Sequence, residues 1–317
     1  LALFFQTGDP ALVVSAGLTV NASDLWVRDL HAVGDPGFDC SLGEHAMDER
    51  GMRILDALAP PRRAMTVAEA VCRILSSRDC ADGRIGIEME GLSPHTRDAI
   101  IDALPRGTLS DCTNLIRLIR MVKAPEEITP QALAAEISED AALESLLQAQ
   151  PGSSISDMVQ RYRAHVAASG AAFDHVIFGL YGLGAASEPA YVLRENDVML
   201  LDFGCAYQGY LADSGLTIAM KQPSPDLLKK YHVLRACVDA GAGACEPGVK
   251  ASAVYDAMQG VLEAHGLVPS NPPPHGHGLG LEIREYPIIV PDSGLRIADG
   301  CVDVEADLPL EEGMVIN

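Results

Sequence analysis

The sequence has 317 residues, with 23 Lys and Arg against 44 Asp and Glu, a formal charge of −21. Its pI near 4.7 argues against nucleic acid or an anionic membrane as partner, and no apolar run is long enough to span a bilayer. The length suggests two domains, and a hydrophobic content of 48% is enough for a sizeable core.

The chain opens on Leu1-Ala-Leu-Phe-Phe, which reads as the middle of a strand and predicts sequence before it. A turn at Gly8-Asp-Pro10 leads into a strand at Ala11–Ser15. The segment from Thr66 to Leu75 predicts a helix, capped by Thr66 with Glu69 three residues on, and with Val67, Val71, Ile74 and Leu75 as its apolar stripe. Arg84–Met89 reads as a strand, and Ser93-Pro94 as the start of another helix. This alternation predicts a sheet with helices on its faces. The single Trp26 and His31 are expected to be packing residues. A boundary is expected near Arg120-Met-Val-Lys-Ala-Pro-Glu-Glu-Ile128, dividing the chain into 1–122 and 123–317.

The second part contains an internal echo. Pro151-Gly152, Ser156, Ala168 and Gly170 recur as Pro247-Gly248, Ser252, Ala264 and Gly266, all displaced by 96 residues. Each Pro-Gly predicts a turn, each Ser an N-cap, and each last Gly a helix end. Tyr162 and Val166 in one copy, and Met258 and Leu262 in the other, form the predicted apolar faces. A duplicated unit follows, and two such halves facing one another would enclose a cleft.

Between the copies, Val198-Met-Leu-Leu-Asp-Phe-Gly204 and Tyr210-Leu-Ala-Asp213 flank a turn placed at Cys205–Gly209, so a β-hairpin is predicted. Both arms are apolar on both faces, which predicts an interior hairpin. Asp202 and Asp213 then need a metal or a positive partner, because a desolvated charge is costly alone. A helix over about 224–244 is expected next. Asn271-Pro-Pro-Pro-His-Gly-His-Gly-Leu-Gly280 follows, where alternating glycines let the backbone pass close to another group. His277, flanked by glycines, is a candidate ligand or proton carrier, and His275 is a weaker candidate. The remaining histidines at 31, 45, 95, 165, 175, 232 and 265 are expected to be ordinary. The eight Cys form no Cys-x-x-Cys pair, a pattern of scattered reduced thiols that suits the cytoplasm.

Asp202, Asp213 and His277 combine carboxylate oxygens with an imidazole, a donor set suited to Mn, Co, Fe or Zn. A carboxylate bridging two such ions holds them about 3.5–4 Å apart around a shared water. The competing assignment pairs both Asp with Arg in a structural turn.

The segments Leu200–Ser214 and Gly276–Gly280 resemble the pita-bread metallopeptidase family, which includes prolidase, aminopeptidase P, methionine aminopeptidase and creatinase. Arg120-x-x-Lys123-x-Pro-Glu-Glu-Ile128 is similar to the linker of its two-domain members, and Leu310–Ile316 to the strand leading into its last ligands. The resemblance implies an α/β (α+β) protein: a creatinase-like domain over 1–122 and a pseudo-twofold pita-bread domain over 123–317. It implies Asp202, Asp213 and His277 as ligands of two divalent metal ions, hydrolysis of Xaa-Pro peptides or small amides, and, by analogy, a homodimer. A creatinase-like hydrolase without metal and a binding protein with a decayed site are the alternatives.

Departures from the family pattern carry chemistry of their own. Arg284-Glu285 stands where the family has His-Glu, and the two are the candidate catalytic residues. Arg284 stays protonated and only donates, so it suits a substrate carboxylate or an oxyanion, favouring a zwitterionic peptide or amide. Its competing role is a surface ion pair with Glu282 or Glu285. The family's upstream His is absent from Ala185–Pro189, and the Arg that often follows the second Asp is replaced in Ser214–Thr217. Two Glu ligands are expected after Asn317, so a chain ending there is expected to be inactive.

Overall fold

Apolar residues at every second position of 198–205 (Val198 apart) put Met199, Leu201, Phe203 and Cys205 on one face of a strand, and all four are buried. The opposite face carries Leu200, Asp202 and Gly204. The computed structural model describes residues 1–37, 47–104, 109–180, 190–268 and 273–317. The chain divides into two compact units, Leu1–Thr113 with Asp299–Val302, and Asn114–Ala298 with Asp303–Asn317. The expected division at 122/123 therefore falls inside the second unit.

In the first unit, β1 (Ala2–Leu3), β2 (Ala11–Ser15), β3 (Asp29–Val33) and β4 (Arg63–Ala64) form one sheet in that order, antiparallel at β1–β2 and parallel thereafter. Helices α1 (Thr19–Ala22), α2 (Glu49–Leu58), α3 (Val67–Ser77) and α4 (Pro94–Ala103) accompany it, with a two-stranded parallel pair of β5 (Ile85–Ile87) and β6 (Leu109–Asp111). Thr66 caps α3 by accepting from the Glu69 N–H at 3.1 Å, and Ser93 caps α4, as the sequence predicts. Val71, Ile74 and Leu75 are the buried side of α3. Trp26 is a correction: it is 72% exposed, on the bend between α1 and β3. His31 is half-buried, its Nε2 3.0 Å from Asp29 Oδ1 in a cluster with Arg62 and Arg78.

From Asn114 the second unit takes in the rest of α5 (Thr113–Arg120), then α6 (Pro125–Ser145) and α7 (Ile155–Ala168). A sheet follows from β7 (Ala172–Leu180), β8 (Val198–Tyr207), β9 (Tyr210–Leu211) and β10 (Ser214–Ala219), with β8 central and antiparallel to its neighbours. Helices α6 and α7 cover its buried face. Tyr162 of α7 stacks edge-on against Phe203 at 5.7 Å, and its buried hydroxyl meets Ser138 at 2.7 Å, so the polar atom is satisfied inside the core. Helices α8 (Pro225–Ala244) and α9 (Ala251–Ala264) precede β11 (Gly276–Gly278), β12 (Glu285–Ile289), β13 (Arg296–Ala298) and β14 (Asp303–Glu305). β11 pairs with β12, and β13 with β14.

The duplication is present in the backbone. Helices α7 and α9 begin and end at positions 96 residues apart. Gly152 N–H bonds to Leu193 O at 2.8 Å and Ile155 N–H to Tyr191 O at 3.0 Å, while Gly248 N–H bonds to Leu310 O at 2.8 Å and Ala251 N–H to Leu308 O at 3.0 Å. Gly170 and Gly266 both take positive φ after their helices. The predicted caps move by two residues. Ser154, not Ser156, caps α7, and Lys250 holds the equivalent position of α9. There the carboxylate of Asp307 accepts from Ser252 N–H and Oγ, both at 2.9 Å, replacing a local cap with one from a distant loop. Ser154→Ala is expected to cost about 1 kcal/mol, measured by urea denaturation, with Ser156→Ala near neutral.

Candidate metal centre

The face of β8 turned away from the helices carries Asp202, and the hairpin brings Asp213 beside it. The reversal is a two-residue loop, Gln208-Gly209, with both φ positive, closing the Tyr207–Tyr210 pair. The turn predicted at Cys205–Gly209 is thus shorter, and β8 runs on to Tyr207. The hairpin is also not interior on both faces. Asp202's side chain is 45% exposed and Asp213's 16%, so the carboxylate face is open to solvent beside Asp202 and closed beside Asp213.

His277 reaches the same place from β11. The backbones of His277 and Asn317 exchange two hydrogen bonds of 2.9 and 2.8 Å, which fixes the strand. Its glycine neighbours are dictated by close approach: a Cβ at Gly278 would lie 2.2 Å from Tyr286 O. The His277 Nδ1–H donates to Gly278 O at 3.0 Å, which turns Nε2 towards Asp213 Oδ2, 3.6 Å away.

A fourth side chain completes the cluster, and it is one the sequence reading treated as ordinary. His175 of β7 places Nε2 3.0 Å from Asp202 Oδ1 and 3.9 Å from Asp213 Oδ1. Its Nδ1–H donates to Asp174 at 2.7 Å. The β7–β8 register shifts between Phe173 and His175, leaving Asp174 as the extra residue of a bulge. His175 then faces Gly204, where a Cβ would lie 2.7 Å from its Cε1 and 2.2 Å from Ala212 O. The one available signal was two adjacent polar residues, Asp174-His175, entering an otherwise apolar strand.

Charge explains why these groups suit a cation. Burial raises the pKa of Asp213, and the charge of Asp202 raises it further, against weaker lowering by His175 and His277. On His175 burial disfavours the cation, but hydrogen bonds to Asp174 and Asp202 outweigh it and shift the pKa upward. One donor atom from each of His175, Asp202 and Asp213 lies within 4.8 Å of the others. Donors to one ion at metal–ligand bonds of 2.0–2.2 Å lie no more than about 4.4 Å apart, so the separations of 3.0, 3.6 and 3.9 Å fit a divalent metal.

The predicted catalytic pair fares differently. Glu285 is 3% exposed and fully engaged: Oε2 accepts from Lys123 Nζ at 2.7 Å, and Oε1 from Arg120 at 2.9 Å and from the N–H groups of Leu281 and Glu282 at 3.0 and 3.1 Å. Burial works against its charge, but these partners win and its pKa is lowered. Both carboxylate oxygens are thus occupied by structural partners, Oε1 by three donors and Oε2 by one, which favours an anchoring role over the expected catalytic one. It anchors the linker residues Arg120 and Lys123 to the loop after β11. Arg284 is exposed and makes no ion pair among the described residues; Glu282 pairs instead with Arg120 and Arg117. His275 lies elsewhere, stacked on Tyr255 at 4.2 Å. Ala185–Pro189, where the family's upstream His was missed, lie outside the described residues.

Comparison with known proteins places this geometry in context. Residues 133–317 match metallopeptidase family M24. The chain is 27% identical over 241 residues to the uncharacterized peptidase YqhT of Bacillus subtilis, covering 74% of this chain and 64% of that protein. It is 32% identical over 197 residues to the "Probable dipeptidase PepE" of Mycobacterium tuberculosis, covering 59% and 52%. The chain therefore spans less than two thirds of these relatives. The structure of an X-Pro aminopeptidase from Thermotoga maritima superposes with TM-score 0.74 at 20% identity, covering 100% of this chain and 79% of that one, a likeness of fold.

Proposed function

The chain belongs to metallopeptidase family M24, and from that premise we propose that it hydrolyses C–N bonds of small peptides or zwitterionic amides, as an Xaa-Pro dipeptidase or aminopeptidase would. Asp202, Asp213 and His277 would hold two divalent ions, of Mn, Co, Fe or Zn. The observation that carries this is the placement of Asp213: Oδ1 faces His175 and Oδ2 faces His277, so one carboxylate serves two sides. When bound, such ions polarise the scissile carbonyl and make water nucleophilic near neutral pH.

The protein's own groups do the rest. Gly278 O holds the His277 Nδ1–H and so keeps Nε2 aimed at the site. The exposed flank of Asp202 admits substrate and water, while the buried flank of Asp213 excludes bulk solvent and strengthens its field. Arg284, exposed and without an ion pair among the described residues, is available to a substrate carboxylate. The dipeptidase and X-Pro aminopeptidase names among the similar proteins support this substrate class. The reading extends to a homodimer in the cytoplasm; among the described residues all Cys are free, and no helix is long and apolar enough to cross a membrane.

Full-length protein purified without chelator is expected to hold about two divalent ions per chain by elemental analysis. It is expected to release product from a panel of Xaa-Pro dipeptides and small zwitterionic amides. Absence of metal, together with an Asp202→Asn variant of undiminished turnover, would remove the metallohydrolase. Metal without turnover on the whole panel would leave a binding protein.

A further inference from the structure

We propose that His175 is itself a ligand of the metal centre, through Nε2, on the side held by Asp202 and Oδ1 of Asp213. This rests on the metal-dependent reading above and adds a residue to the ligands that the resemblance implies.

Three independent features of the molecule converge on it. The first is aim. His175 Nε2 is 3.0 Å from Asp202 Oδ1 and 3.9 Å from Asp213 Oδ1, both within the spread of about 4.4 Å open to donors on one ion. The second is support. Asp174 accepts the Nδ1–H at 2.7 Å, and a carboxylate on the far nitrogen is the arrangement that fixes the tautomer of metal-bound imidazoles and raises their basicity. The third is the backbone. An extra residue at Asp174 redirects β7, and Gly204 leaves the space that the imidazole fills. A histidine serving only as packing needs neither a bulge nor a carboxylate behind it.

The assignment alters the character of the centre. His277 faces Oδ2 of Asp213, so with His175 on the Oδ1 side each flank of the Asp213 carboxylate has one imidazole. Imidazole donors suit Zn, Fe and Co better than Mn, which prefers oxygen. The added nitrogen should therefore move the metal preference of this chain away from Mn.

Mn(II) and Co(II), each added alone to metal-free full-length protein, test this. Affinity is read by calorimetry or competition, and coordinated imidazole by pulsed EPR of nitrogen couplings at substoichiometric Mn(II). His175→Ala is expected to weaken the tighter Mn(II) site at least ~10-fold, to lose one nitrogen coupling, and to reduce the Co(II)/Mn(II) affinity ratio. Asp174→Asn should weaken affinity ~10-fold and keep the coupling, because it removes the support and not the ligand. His175→Asn and circular dichroism melts guard against misfolding. A wild-type protein that binds Mn(II), beside a His175→Ala variant with unchanged affinity and nitrogen coupling, overturns this assignment and leaves the metal reading intact. A wild-type protein that binds neither ion overturns both.

Discussion

Asp213→Asn is expected to abolish metal retention and turnover together, with affinity falling by well over ~100-fold, beyond the 10–100-fold loss typical of an outer-shell partner. The amide keeps the shape but replaces one acceptor oxygen with a donor and removes the charge. In this protein both oxygens face donors on different sides, so neither amide orientation restores the pair. Stability should respond in the opposite sense. Without metal, burial and the charge of Asp202 hold the Asp213 pKa above its ordinary 3.8. The folded state then binds the proton more tightly than the unfolded chain. Metal-free stability from this group therefore falls as pH rises from about 3.8 through the raised folded value. The metal-free Asn variant lacks that loss and should melt no lower than metal-free wild type near neutral pH. Added metal should stabilise wild type by about 2.7 kcal/mol at a hundredfold excess over Kd and leave the variant unmoved. Calorimetric scans with and without Mn(II) decide this; equal metal-induced shifts in both proteins would contradict the assignment of Asp213 as a ligand.

Glu285→Gln is expected to act on stability and spare the metal. Glu285 and Lys123 are 3% and 5% exposed and 2.7 Å apart, with Arg120 at 2.9 Å. Removing one partner of a buried pair leaves an uncompensated charge and costs about 3–5 kcal/mol. At about 2–4 °C per kcal/mol for a unit of this size, the melting temperature should drop by ~10 °C. The pair's pH dependence runs opposite to that of Asp213. The folded pKa of Glu285 lies below its ordinary 4.5, so its contribution is complete above about 4.5 and is lost as pH falls through the depressed value. Wild type should therefore lose more stability on acidification than the Gln variant. A Lys123→Met, Glu285→Leu double variant should recover part of the loss, since apolar replacement of a buried pair is often near neutral. Unchanged melting with lost turnover would return Glu285 to the catalytic group.

The place of His175 beside Asp202 and Asp213 is not legible in the sequence. Its spacing in β7 is unremarkable, because strand periodicity reports which face a residue is on only while the register is regular. The bulge at Asp174 breaks that register, and within 172–180 only the adjacent polar pair Asp174-His175 hints at it. The surroundings of Glu285 are hidden for the reverse reason. A short motif suggested chemistry, but its basic partners Arg120 and Lys123 lie more than 160 positions away, and only folding brings them near.

What local sequence determined by itself had a short-range cause: the caps of α3 and α4, the presence of the hairpin from β8, the 96-residue echo in α7 and α9, and the glycines beside His277. These depend on backbone torsions, neighbouring donors and side-chain alternation, which a linear reading contains. Only the tertiary structure decided which charges meet. The strand register seats His175 against Asp202, a distant Asp307 replaces a local cap, and Glu285 becomes an anchor. Electrostatic partnership depends on distance in space, and chain separation carries no record of it.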